Sequence, residues 1–217
     1  MSSYQQSDYQ TLRAESGATL YVRGETWTSF QSKFYADAAT LRFDTLYVHN
    51  DNETKENEVI VSGANAFIQA LNDYTTRGKF GDRLPGQLTF EIPVGGYGED
   101  APVRGCKNKF MRDSGAKGDG TQGSVVKVSK KSPAFKSGKE FDQCLIANGG
   151  FGTIPEGENA GKIAVFLDSS ELPENCYYFY TDKDGNKLSV DEATPANADK
   201  LWVHVKGQST GFVVIVL

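Results

Sequence analysis

Two apolar runs flank a wholly polar one in Leu41-Arg-Phe-Asp-Thr-Leu-Tyr-Val-His49, Asn50-Asp-Asn-Glu-Thr-Lys-Glu-Asn57 and Glu58-Val-Ile-Val-Ser62. The outer two runs carry apolar or β-branched residues at alternate positions or without a break, which is the pattern of strands. The link between them holds no apolar side chain and predicts an exposed hairpin loop. The same signature recurs at Thr19–Arg23, Gln87–Ile92, Ser124–Ser129, Lys162–Leu167, Cys176–Thr181, Leu201–Lys206 and Phe212–Leu217. Asp182-Lys-Asp-Gly-Asn-Lys187 predicts a tight hairpin, because Asp-Gly supplies the positive φ such turns require.

Working outward, Ala64–Arg77 predicts a helix. Phe67, Leu71 and Tyr74 recur at i, i+4 and i+7, and Gly78 follows where a C-terminal cap belongs. Thr26–Ala36 is a second helical candidate, with Trp27, Phe30 and Phe34 on one face, and Lys139–Ala147 is a short third. The expected fold is therefore mainly β: an antiparallel β-sandwich or barrel-like architecture with one or two short helices. A Gly/Lys-rich stretch from Gly95 to Gly123 breaks the periodicity and predicts a long loop. It divides the chain into an N-terminal β unit (1–94), a basic arm (95–123) and a C-terminal antiparallel meander (124–217), which together could form one domain. No internal repeat between the halves is visible.

Charge is distributed unevenly over the 217 residues. Residues 1–103 carry 8 basic and 14 acidic side chains, residues 104–139 carry 10 and 2, and residues 140–217 carry 5 and 12. A cationic island lies in a chain of net charge −5. Its candidate contact residues are Arg104, Lys107, Lys109, Arg112, Lys117, Lys127, Lys130 and Lys131. Opposite charges on one molecule favour docking on a second copy or another protein. Nucleic acid is disfavoured as a partner, since only Phe110 and Phe135 could stack on bases and the chain as a whole is acidic.

Chemical signatures are sparse. The three cysteines, Cys106, Cys144 and Cys176, are odd in number and widely spaced, which predicts thiols rather than a disulfide framework. His49 and His204 fall in strand patterns, and no Gly-x-Ser-x-Gly elbow accompanies them. The spacing needed for zinc is missing, and the loop at Asp182 lacks the Gly and Glu of an EF-hand. No catalytic residue, metal or cofactor is assigned. The first ten residues hold no basic and apolar segment of a secretory signal, and no apolar run approaches the length of a spanning helix. These points predict a soluble chain made in the cytoplasm and ending in a virion or another assembled particle.

Ser114-Gly-Ala-Lys-Gly-Asp-Gly-Thr121 resembles the Gly-Ala-Lys-Gly-Asp-Gly opening of phage tailspike and pectate-lyase-like β-helix proteins. The likeness spans about eight residues. Gln122-Gly-Ser-Val-Val follows in place of that family's Asp-rich helix start, and the remaining chain is short for its many coils. Turn chemistry accounts for the phrase, and the expected fold does not rest on it.

The leading functional expectation is a non-enzymatic building block that self-assembles into a shell, tail, fibre or filament. Its basic arm would meet acidic flanks, and the apolar strand Phe212, Val213, Val214, Ile215, Val216 and Leu217 would be buried at a subunit contact. The alternatives are a carbohydrate-binding β-sandwich that uses residues such as Tyr177-Tyr-Phe-Tyr180, and a hydrolase with a carboxylate or histidine site.

Overall fold

The computed structural model describes residues 3–5, 11–27, 32–48, 57–76, 85–107, 110–113, 124–147, 150–154 and 157–208. Among the described residues sixteen strands follow in chain order. The first eight are β1 (Ser3–Gln5), β2 (Thr11–Glu15), β3 (Thr19–Trp27), β4 (Lys33–Asp37), β5 (Thr40–Val48), β6 (Glu58–Ser62), β7 (Phe67–Thr76) and β8 (Gln87–Glu91). The rest are β9 (Val103–Arg104), β10 (Phe110–Asp113), β11 (Ser124–Val128), β12 (Glu140–Ala147), β13 (Val165–Asp168), β14 (Tyr177–Thr181), β15 (Lys187–Leu188) and β16 (Lys200–Lys206). The expectation of a mainly β chain holds, with the strands in two sheets.

From β1 to β9, and again from β11 to β14, strands are dealt alternately to the two sheets. The larger sheet runs β1-β3-β5-β7-β9-β12-β16-β14-β15, with β10 against β7, and the six-stranded sheet runs β13-β11-β8-β6-β4-β2. Each turn of the chain lays one strand on each sheet and then shifts by one position, so the two sheets grow as a stack of coils. Neighbouring strands then run in the same direction. Every pair in the six-stranded sheet is parallel, and so is every pair from β1 to β12 in the larger one. The antiparallel expectation is met only where β12, β16, β14 and β15 close the larger sheet. Likewise β5 and β6 are no hairpin: they lie in different sheets. The polar link between them lies outside the described residues but for Asn57. The expected turn at Asp182–Lys187 does join an antiparallel pair, β14 and β15.

All three predicted helices are corrected to strands where they are described. Ala64–Arg77 contains β7, Thr26–Ala36 holds the end of β3 and most of β4, and Lys139–Ala147 is β12. In β7 the inward residues are Ile68, Ala70 and Tyr74, while Phe67 and Leu71 are half-buried. The register slips by one residue between the Phe43–Ala70 and Thr45–Asp73 pairs, marking a bulge in β7. Phe67 and Leu71 share one face and Tyr74, three residues on, lies on the other, so apolar residues from both faces imitate a helical spacing. The one helical element among the described residues is a 3-10 turn, Pro133–Lys136.

Alternation within each strand produces the core. Across the six-stranded sheet, Leu12, Phe34, Val59, Leu88, Val126 and Leu167 form one register row pointing inward. Across the larger sheet, Leu20, Leu41, Ile68, Val103, Ile146 and Leu201 form the facing row. One apolar cluster extends from Ala14 to Val205. Of the expected arm, residues 95–107 and 110–113 are described; Tyr97 and Val103 lie in this core, β9 sits inside the larger sheet and β10 pairs with β7.

The corners between sheets are tight at first. Three residues join β2 to β3, two join β4 to β5, and four join β6 to β7. Successive corners stack through Gly17 N–H to Ala38 O at 2.6 Å and Ala38 N–H to Ser62 O at 2.8 Å. Gly63 adopts φ +76°, and a Cβ there would stand 2.7 Å from Ala38 N. Only glycine meets both demands.

Candidate assembly interface

The two sheets do not end together. Tyr178 of β14 spans the core, its hydroxyl donating to Asp168 O of β13 at 3.0 Å and accepting from Val128 N–H of β11 at 2.9 Å. Beyond this bridge the larger sheet continues into β15, whereas the six-stranded sheet stops at β13. No strand among the described residues pairs with the outer side of β13, so its backbone groups form an edge.

Beside that edge lies a cleft of about 780 Å³. Ile163, Val165, Phe166, Tyr180, Val190 and Pro195 supply its apolar walls, and Lys162, Asn159, Asp191 and Thr194 its polar margin. Phe166 and Val190 are 46% and 47% exposed, two of the five large apolar side chains that stand open on the described surface. Tyr180 forms part of the floor and is 2% exposed. Burial raises its pKa, no hydrogen bond contributes to that shift, and its hydroxyl has no partner among the described residues. The arrangement suits an apolar segment that brings hydrogen-bonding groups with it. An extended strand does so, because its side chains alternate while its backbone pairs with an edge.

The described members of the predicted basic set lie on both sheets. Arg104 lies on β9 of the larger sheet, paired with Asp100 at 2.9 Å and set over the Phe67 ring at 5.2 Å. Lys107 is exposed, and its backbone N–H donates to Leu71 O. Lys127 lies on β11 of the other sheet, 3.9 Å from Glu171, with Lys130 and Lys131 on the turn that follows. Arg112 falls in β10, whose side chains are outside the description, as are Lys109, Lys117 and the predicted strand Phe212–Leu217. Sequence reasoning missed the cleft altogether. Its walls come from segments that carry no motif, and only Phe166, in a run already read as strand, hinted at an apolar outward face.

A second cluster sits on the outer face of the antiparallel strands. Asp142, His204 and Tyr177 share a row. His204 stacks on Tyr177 with centroids 4.9 Å apart, and its Nδ1 lies 2.8 Å from Asp142 Oδ1. Lys187 reaches across the Phe179 ring to Asp142 Oδ2 at 2.9 Å. Burial acts to raise the Asp142 carboxyl, but the hydrogen bonds from Lys187 and His204 outweigh it and hold the pKa below the usual value. Phe179 stacks on Trp202, whose indole N–H donates to Thr181 Oγ1 at 3.1 Å. His204 Nε2, where a catalytic set would place a hydroxyl or thiol, lies 3.6 Å from Glu140 instead. These groups are occupied with one another and read as cross-strand packing.

The three cysteines are free thiols, and burial pushes Cys144 up to about 12. Among the described residues, no three His, Cys, Asp or Glu side chains converge as metal ligands, and no helix is long and apolar enough to cross a membrane. No family model, curated protein or solved structure matches the chain.

Proposed function

We propose that the chain is a structural subunit that joins copies of itself head to tail, the apolar strand Phe212–Leu217 of one copy adding to the β13 edge and cleft of the next. The observation that carries this reading is the six-stranded parallel sheet ending at β13 beside an apolar cleft, while the facing sheet runs on. One further strand at this point would cover Phe166 and Val190 and meet the β13 backbone. Phe212-Val-Val-Ile-Val-Leu217 has the apolar character such a site selects. A donor strand and an acceptor cleft on one chain make a heterologous contact, which propagates into rings or filaments.

Light scattering across a concentration series, with negative-stain microscopy, tests the reading. The wild-type chain is expected to form oligomers that grow with concentration. Phe166→Lys, at an exposed position, and a chain ending at Gln208 are each expected to remain monomeric with unchanged circular dichroism. Mixed together, they should give a one-to-one dimer and nothing longer, because each retains one half of the contact. A wild-type chain that stays monomeric throughout overturns the assembly. A chain ending at Gln208 that assembles like wild type overturns the role of the last strand.

A further inference from the structure

Two tyrosines of the apolar core end on main-chain carbonyls of the six-stranded sheet. Tyr97, on the link before β9, donates its hydroxyl to Val61 O of β6 at 2.8 Å. Tyr178 of β14 donates to the carbonyl of Asp168, the last residue of β13. A phenol suits this task, because its ring is at home among apolar side chains and its tip can still form a hydrogen bond.

Tyr180 resembles this pair in position but not in bonding. It lies two residues beyond Tyr178, hence on the same inward face of β14, and it belongs to the same core. Phe151 meets its ring edge-on, with centroids 5.5 Å apart and planes at 87°, so the ring is held. Yet its hydroxyl has no partner among the described residues. A buried hydroxyl left in this state is unfavourable and calls for an acceptor. Tyr178 reaches the end of β13, whereas Tyr180 shares the cleft with Ile163 and Val165 at its beginning. The unmet donor therefore stands beside the open edge.

We infer that the Tyr180 hydroxyl selects and registers the strand that enters this cleft, by donating to one of its main-chain carbonyls. The inference rests on the assembly reading and adds to it a residue that decides specificity. A strand paired with β13 bonds it through alternate residues, and the carbonyls between them point the other way. Inside a cleft such a carbonyl needs a donor. Phe212-Val-Val-Ile-Val-Leu217 has no polar side chain, so the only acceptors it can offer Tyr180 are those of its main chain. The contact also fixes register, since a slip of one residue turns that carbonyl away and brings the opposite row of side chains against the cleft walls. An apolar segment without a free acceptor could fill the same walls but would leave the hydroxyl unmet, and the cleft discriminates against it.

Light scattering on the full-length chain and on its Tyr180→Phe variant tests the inference. The concentration at which half the chains are assembled is expected to rise about fivefold or more in the variant. The circular dichroism and urea midpoint of the dilute monomer should not fall, because the hydroxyl makes no bond within the fold. Tyr178→Phe provides the contrast, since its hydroxyl is bonded internally and its loss should lower that midpoint. Assembly of Tyr180→Phe at the wild-type concentration overturns the role of the hydroxyl and leaves the docking of the strand standing. A wild-type chain that never assembles overturns the docking, and this inference with it. A lower urea midpoint for the Tyr180→Phe monomer would place the hydroxyl's partner inside the fold and overturn the inference alone.

Discussion

Gly17 and Gly63 occupy comparable corners of two coils, with φ of +79° and +76°. A side chain at Gly17 would have nothing within 4 Å, whereas at Gly63 it would meet the backbone of Ala38. Substituting alanine at either position carries the left-handed penalty of roughly 1–2 kcal/mol. At Gly63 an overpacking cost of roughly 1–3 kcal/mol is added. Urea unfolding should therefore rank Gly63→Ala well below Gly17→Ala, and equal midpoints would mean the corners are looser than their hydrogen bonds suggest. Residue-level reading went wrong where both faces of a strand carry large apolar side chains. Phe67, Leu71 and Tyr74 imitate a helix because the first two lie on the half-buried face of β7 and the third on its buried face.

Elements are tied together across the core by few polar bridges, and Tyr178 makes two of them. It is 7% exposed and connects β14 to both β11 and β13. Tyr178→Phe keeps the ring but strands the buried Val128 N–H and Asp168 carbonyl, a cost of about 1–3 kcal/mol. The expected result is a lower urea midpoint with an unchanged slope, and a change below about 0.5 kcal/mol would show that water replaces the hydroxyl. Strand existence was largely legible at this scale, since β3, β5, β6, β8, β11, β14 and β16 all coincide with apolar alternation in the sequence. Their partners were not. Alternation records which face is buried and is the same for parallel and antiparallel neighbours.

At the scale of the molecule, one apolar cluster links the first coils to the last strands. Coil stacks couple mainly to nearest neighbours, so a break in the core would let one end melt first. A continuous core predicts one transition. Trp27 lies on β3 and Trp202 on β16, near opposite ends of the larger sheet. Variants retaining one tryptophan each, Trp202→Phe and Trp27→Phe, should give coincident fluorescence midpoints that also match circular dichroism. Separate midpoints would mean that the two ends unfold independently.

The order of residues by itself determined that the chain is strand-rich, which faces of many strands are apolar, and where the Asp182–Lys187 turn falls. Each depends on side chains only a few positions apart. Tertiary structure alone decided the parallel stacking, because that depends on where each connection returns the chain. Strands of the six-stranded sheet begin at residues 11, 33, 58, 87, 124 and 165, so the coils lengthen steadily and leave no constant period to find. It also decided that Arg104 and Lys127, close in sequence, stand on different sheets, and that Phe166, Tyr180 and Val190 enclose one cleft. Charge and apolarity are properties of residues, but a site is a property of distance, and only the folded chain sets distance.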